Sequence, residues 1–113
     1  MFGLTGATRI YLYRGSADMR KSFDGLSGLI RSELGCDPLD GSLFVFCNRR
    51  RTMVKMLYWD RDGYALWYKR LERGTFRMPR PDARVPEIDR RELAMLLEGV
   101  TPKRRNRRFS LAG

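Results

Sequence analysis

Across residues 43–79, short apolar and aromatic runs alternate with clusters of Arg, Asp and Gly. That rhythm leaves an antiparallel meander as the simplest fold for the middle of the chain. Leu43-Phe-Val-Phe-Cys47 is a nearly continuous apolar run, so it predicts a strand central in its sheet. After a polar, basic connection over 48–52, residues 53–59 form the next strand, and Asp60-Arg61-Asp62-Gly63 closes a hairpin with Gly63 at the expected positive φ. Residues 64–71 return antiparallel. Alternation places Tyr64, Leu66 and Tyr68 on one face and Ala65, Trp67 and Lys69 on the other, so some of these aromatics belong to a core and the rest are open to base stacking. Glu72-Arg73-Gly74 turns the chain again, and residues 75–78 predict a short edge strand that Pro79 ends.

The flanks supply helices. Ile10 and Leu12 alternate with Tyr11 and Tyr13 as in a strand. Met19, Phe23, Leu26, Ile30 and Leu34 then recur at helical spacing, with Asp18 or Ser16 as N-cap and Gly35 as the stop. Gly25 and Gly28 interrupt that helix and suggest close packing against the sheet. Residues 80–86 hold two prolines and read as an extended linker. Asp89 followed by Glu92 opens a second helix whose apolar face is Leu93, Leu96, Leu97 and Val100, with Gly99 just past its end. The fold class is therefore α+β: a small antiparallel meander sheet of four to five strands with two helices packed mainly on one face. Residues 1–100 form one domain, and 101–113 form a basic, disordered tail.

Composition narrows function by exclusion. The chain has no histidine, which removes Ser-His-Asp and Cys-His catalysis and the commonest zinc ligand. Cys36 and Cys47 are too few and too far apart for a metal knuckle and read as buried or half-buried thiols. Asp60, Asp62 and Glu72 are the acids that metal-dependent phosphoryl transfer would need, but Asp60-x-Asp62-Gly63 lacks the downstream ligands of a calcium loop. No catalytic, cofactor or metal site is expected. The start of the chain lacks the order of a secretory signal and no apolar run is long enough to span a bilayer, so the expected setting is cytoplasmic, with no membrane partner.

Charge then points to a partner. The net charge is +10, and half of it sits on Lys103, Arg104, Arg105, Arg107 and Arg108 in a tail without acids. Within the meander, Arg49, Arg50 and Arg51 occupy one connection, and Lys55, Lys69, Arg70, Arg73 and Arg77 follow. Turns at one edge of a meander can gather such separated charges into one patch. Guanidinium groups suit bidentate contact with phosphate or guanine, so DNA is the leading partner and these residues are the candidate nucleic-acid contacts.

Several motifs taken in order resemble a known family. Asp18-Met-Arg-Lys-Ser-Phe-Asp-Gly-Leu26, Leu43-Phe-Val-Phe46 with Asn48-Arg-Arg-Arg51, Lys55, Trp59-Asp60, Lys69-Arg-Leu-Glu-Arg-Gly74 with Phe76, and Leu96-Leu-Glu-Gly99 resemble the second-reading-frame proteins, called TnpB, of the insertion-sequence group sixty-six. These are unrelated to the RNA-guided nucleases that share the label. The resemblance runs from about Ile10 to Val100 and leaves the basic tail outside it. Met78 stands where the family pattern commonly carries Trp.

The resemblance implies an accessory role in bacterial DNA transposition, beside a separate transposase that carries the catalytic acids. Three readings follow. The first is a non-enzymatic DNA-binding factor that helps assemble the transposase on element ends. In the second, the chain is an adaptor that binds the transposase through Asp18, Met19, Arg20 and Lys21 and touches DNA only incidentally. The third, a nuclease or strand-transfer enzyme using Asp60, Asp62 and Glu72, is disfavoured by the missing ligands.

Overall fold

A computed structural model describes residues 5–100. Strand β1 is Ile10–Leu12, β2 is Leu43–Cys47, β3 is Met53–Asp60, β4 is Gly63–Arg70 and β5 is Glu87–Ile88. Helix α1, Phe23–Leu29, runs into a π-helical stretch, Ile30–Leu34, and helix α2 is Arg90–Glu98. The strands form one sheet in the order β4-β3-β2-β1-β5. The α+β class, strands β1–β4 and the two helices agree with the sequence reading. So does the central place of β2, every residue of which is buried.

The sheet is mixed rather than a pure meander. β1 and β2 pair in parallel, Ile10 opposite Leu43 and Leu12 opposite Val45, because α1 carries the chain back across one face between them. The remaining ladders are antiparallel. The helices lie on opposite faces, a correction to the expectation of one. Alternation along β2 explains it: Leu43, Val45 and Cys47 join Leu93 and Leu96 of α2 in one core, while Phe44 and Phe46 join Leu26 and Ile30 of α1 in the other. A strand apolar at every position needs a cover on each side.

Local chemistry accounts for the element ends. Asp89 accepts from the Glu92 backbone N–H at 2.8 Å while the Glu92 carboxylate accepts from the Asp89 N–H at 3.0 Å, a complete capping box for α2. The first helix stops at Gly35, whose φ of 63° lets the next N–H, that of Cys36, reach back to the Ile30 carbonyl at 3.1 Å. It starts at Phe23, later than its apolar stripe suggests, because the segment around Met19 is pinned as a turn. Gly28 has open space where a side chain would stand, and the nearest neighbour of Gly25 is the Lys21 side chain, so neither glycine serves close packing on the sheet.

Two further expectations change. Residues 75–78 do not add an edge strand; a single bridge joins Thr75 to Val100. Phe76 and Met78 instead plug the core beneath α2, so the segment crosses the sheet end rather than extending it. The position where the family pattern commonly has Trp is thus a core position here. The stretch read as a linker, 80–86, leads into β5, an unexpected strand that pairs with β1 through Ile88 and Ile10. Among the described residues no helix is long and apolar enough to cross a membrane.

Candidate nucleic-acid interface

The register of β2, β3 and β4 decides which basic residues meet. Cys47 lies opposite Val54 and Met53 opposite Arg70, so the 48–52 connection and the end of β4 emerge at the same end of the sheet. The chain after β4 stays there: the Leu71 N–H donates to the Thr52 carbonyl at 2.8 Å, and that of Phe76 donates to the Arg51 carbonyl at 2.7 Å. Arg49, Arg50, Arg51, Arg70, Arg73 and Arg77 are therefore gathered at one end of the sheet, all exposed.

Asn48 builds this end. Its Oδ1 accepts from the backbone N–H groups of Thr52 and Met53 at 2.9 and 3.0 Å, and its Nδ2 donates to Thr52 Oγ1 at 3.1 Å. The turn so fixed holds Arg51 at a φ of 59°, in the left-handed region that favours glycine. The β3–β4 turn does the same with Arg61 at a φ of 60°, so the positive φ expected at Gly63 falls two residues earlier. Gly63 is the first residue of β4, opposite Asp60.

Arg14 and Arg84 share this end, and sequence reasoning missed both. The Arg14 guanidinium clamps the loop 79–85: Nε donates to the Val85 carbonyl at 3.1 Å, and Nη1 to those of Pro79 and Arg80 at 2.6 and 3.2 Å. Burial and the charge of Arg80 push the Arg14 pKa down from its ordinary value. Only the parallel pairing of β1 with β2 brings Arg14 beside Asn48, and no local sequence signal announces that pairing.

Two predicted contacts are spent elsewhere. Lys55 is buried, 6% exposed, and cannot join a surface patch. Its Nζ donates to the carbonyls of Met19 and Lys21 at 2.7 and 2.8 Å and lies 4.7 Å from the centre of the Tyr68 ring. Alternation with Val54 and Met56 carried the signal: it turns Lys55 toward the α1 face together with Leu57. Lys69 is half-buried and donates to the Leu97 carbonyl at 3.2 Å, satisfying the last turn of α2. Lys103, Arg104, Arg105, Arg107 and Arg108 lie outside the described residues.

The 18–21 motif takes its shape from Lys55. Asp18 turns onto Arg20, with Nε to Oδ1 at 3.1 Å and Nη2 to Oδ2 at 2.7 Å. These hydrogen bonds, with that of the Arg20 backbone N–H, hold the Asp18 carboxyl down at about 2. Met19 packs against the α1-face core, which leaves Arg20 and Lys21 exposed to solvent. The motif sits at the basic end, since the Ala17 N–H donates to the Cys47 carbonyl at 2.9 Å.

The aromatic residues divide between the faces as the alternation predicts. Trp67 and Tyr58 pack on the α2-face core, and Tyr64 packs on the other. Tyr64 also stacks on Phe23 and takes the edge of Trp59, with ring centres 6.5 and 5.2 Å apart. Tyr68 is half exposed beneath the Lys55 ammonium. Asp60 and Asp62 occupy the opposite end of β4 from Glu72, separated by the length of an eight-residue strand. Among the described residues no group of three His, Cys, Asp or Glu is placed to hold a metal. Burial pushes the Cys47 thiol up to about 11 and raises that of Cys36, which keeps both protonated at neutral pH.

Comparison with known proteins agrees with the motifs. The chain is 36% identical over 92 residues to the uncharacterized protein y4hO of Sinorhizobium fredii (strain NBRC 101917 / NGR234), covering 81% of this chain and 80% of that protein. It is 32% identical over 100 residues to the uncharacterized protein y4jC of the same strain, covering 88% and 86%. No solved structure matches. The sequence model of the IS66 Orf2-like proteins, TnpB_IS66, matches residues 8–107 and so takes in Lys103, Arg104, Arg105 and Arg107, which the motif resemblance left outside. With nearly all of its length matched by that model and two relatives above 30% identity, the chain belongs to the IS66 Orf2-like family, which implies an accessory role in IS66 transposition.

Proposed function

We propose that the chain is a non-enzymatic DNA-binding factor that assists a separate transposase in the cytoplasm. One observation carries this reading: Arg49, Arg50, Arg51, Arg70, Arg73 and Arg77 are exposed together at one end of the sheet. Of the acids at that end, Glu72 is tied to Arg70 at 3.2 Å and Asp18 to Arg20 at 2.7 Å. A surface of this kind neutralises phosphates and releases counterions, so affinity falls steeply with salt. The tail residues Lys103, Arg104, Arg105, Arg107 and Arg108 add sequence-independent attraction.

The test is binding to duplex across a salt series, for the natural chain and for one with Arg49, Arg50 and Arg51 all changed to Gln. Each contacted phosphate contributes about −0.9 to the log-log slope on duplex DNA, so losing three contacts should flatten it by roughly 2.7. An unchanged slope and affinity would remove these arginines from the interface.

A second reading has its own support. Lys55 locks the 18–21 motif from below and presents Arg20 and Lys21 in a fixed conformation, as a docking surface for the transposase would require. Co-purification with the transposase that survives nuclease treatment and is lost on changing Arg20 and Lys21 to Ala would favour the adaptor.

A further inference from the structure

The basic end has two kinds of surface. Arg50, Arg73 and Arg77 stand exposed on the connections and Arg70 at the end of β4, whereas Arg14, Arg49, Arg51 and Arg84 line a crevice. Two adjoining clefts of about 400 and 270 Å³ meet at Arg14, Arg51 and Met78; Arg84 borders the larger and Arg49 the smaller. The parallel pairing shapes the smaller one, since both C-terminal ends of a parallel pair lie at the same edge and the loops that follow β1 and β2 face each other there; residues 81–84 wall the larger.

The charge in this crevice is unbalanced. It holds four guanidinium groups, and Asp82 is the one acid in its lining. Arg14 is already committed on three sides by backbone carbonyls, while its Nη2 is buried with no hydrogen-bond partner. Burial and Arg80 both act against the Arg14 charge, and an anion nearby would offset the repulsion from Arg80. Since Nη2 is closed off, Arg49, Arg51 and Arg84 would meet the anion and Arg14 would supply charge from behind.

We propose that this crevice binds a phosphate monoester, and that its source is the phosphorylated end of a nucleic-acid strand. Shape and charge choose the monoester over the diester. A phosphate within a duplex backbone carries one negative charge, has a substituent on each side, and fits an exposed track such as Arg50–Arg73. A terminal phosphate carries nearly two charges, exposes three oxygens, and can enter a concavity. This inference rests on the DNA-binding reading above and gives the same end of the molecule two jobs: the exposed cations follow the backbone, and Arg49 and Arg51, which contact backbone phosphate within a strand, take the terminal phosphate with Arg84 where a strand ends.

The test compares one duplex carrying either 5′-phosphate or 5′-hydroxyl ends, with a 3′-phosphate version as a third arm. Inorganic phosphate is titrated separately while the amide signals of Gly15, Asn48 and Arg84 are followed by NMR. We expect the end-phosphorylated duplex to bind about tenfold tighter. Arg84→Gln should erase most of that ratio, and Arg73→Gln should weaken every duplex while leaving the ratio intact. Equal affinity for all ends, with salt-dependent binding retained, overturns the crevice and leaves the DNA-binding reading standing. Phosphate-dependent amide shifts without measurable duplex binding overturn the strand end as the source, along with the reading on which it rests.

Discussion

The two ends of the sheet are built from similar parts and carry different charge. Each has a tight turn with an arginine in the left-handed region, Arg51 at one and Arg61 at the other. At the first end, Arg51 is joined by Arg14, Arg49, Arg50, Arg70, Arg73, Arg77 and Arg84. At the second, Arg61 sits between Asp60 and Asp62, and Arg9, Arg90 and Arg91 are met by Glu87, which pairs with Arg9, by Asp89 and by Asp40 ahead of β2. A basic turn is therefore not in itself a binding surface. What separates the ends is the company that strand pairing brings, and only the first leaves its positive charge largely unopposed.

Lys55 gives the strongest way to break this comparison, because it lies just inside the basic end yet belongs to the framework. Lys55→Ala should leave the Met19 and Lys21 carbonyls without their donor. Hydrogen bonds to a charged group are worth about 1.5–3 kcal/mol each, and a loss near 3 kcal/mol in urea unfolding is expected. Arg50→Ala, on an exposed turn, should stay within about 0.5 kcal/mol. If the two variants unfold alike, Lys55 is not the strut that shapes the 18–21 motif.

The contrast also shows what the sequence could and could not say. β2, the β3–β4 hairpin and the start of α2 rest on local signals, namely a continuous apolar run, a turn cluster and an Asp89–Glu92 capping box, and all three were legible. The gathering of Arg49–Arg51 with Arg70 and Arg73 was legible too, since consecutive antiparallel strands return to the same end. The parallel pairing of β1 with β2 was not. It joins residues more than thirty positions apart, and Arg14 reaches the basic end only through it. Helix placement was not legible for a related reason: the apolar run of β2 marks a central strand, but which face each helix covers is settled by contacts far apart in the chain. Lys55 was misread because composition grouped it with the turn cations, whereas period-two alternation turns it inward.

The twin turns sharpen the comparison at smaller scale. A non-glycine residue in the left-handed region costs on the order of 1–3 kcal/mol, partly offset by the extra chain entropy that glycine brings to the unfolded state. Arg51→Gly and Arg61→Gly should therefore each stabilise the fold by about 1 kcal/mol in urea unfolding. Their effects on DNA should part. Arg51→Gly should weaken duplex binding several-fold at low salt, and Arg61→Gly should leave it within error. Equal losses at both turns would mean that DNA follows net charge rather than one end of the sheet.

The smallest effect isolates the acids. Glu72 holds Arg70 at 3.2 Å, and both side chains are well exposed, so the pair contributes about 0–1 kcal/mol to stability. Glu72→Gln should barely move the unfolding midpoint. It should, however, remove one negative charge from the basic end and free Arg70 for phosphate, raising duplex affinity about two- to threefold at low salt and less as salt screens the change. Asp62→Asn makes the same change in charge at the other end, where it should have no such effect. The two variants are identical in net charge, so any difference in their binding is a difference of place. A gain for Glu72→Gln alone would locate the DNA at the 48–52 and 71–77 turns, whereas equal gains would dissolve the distinction between the ends.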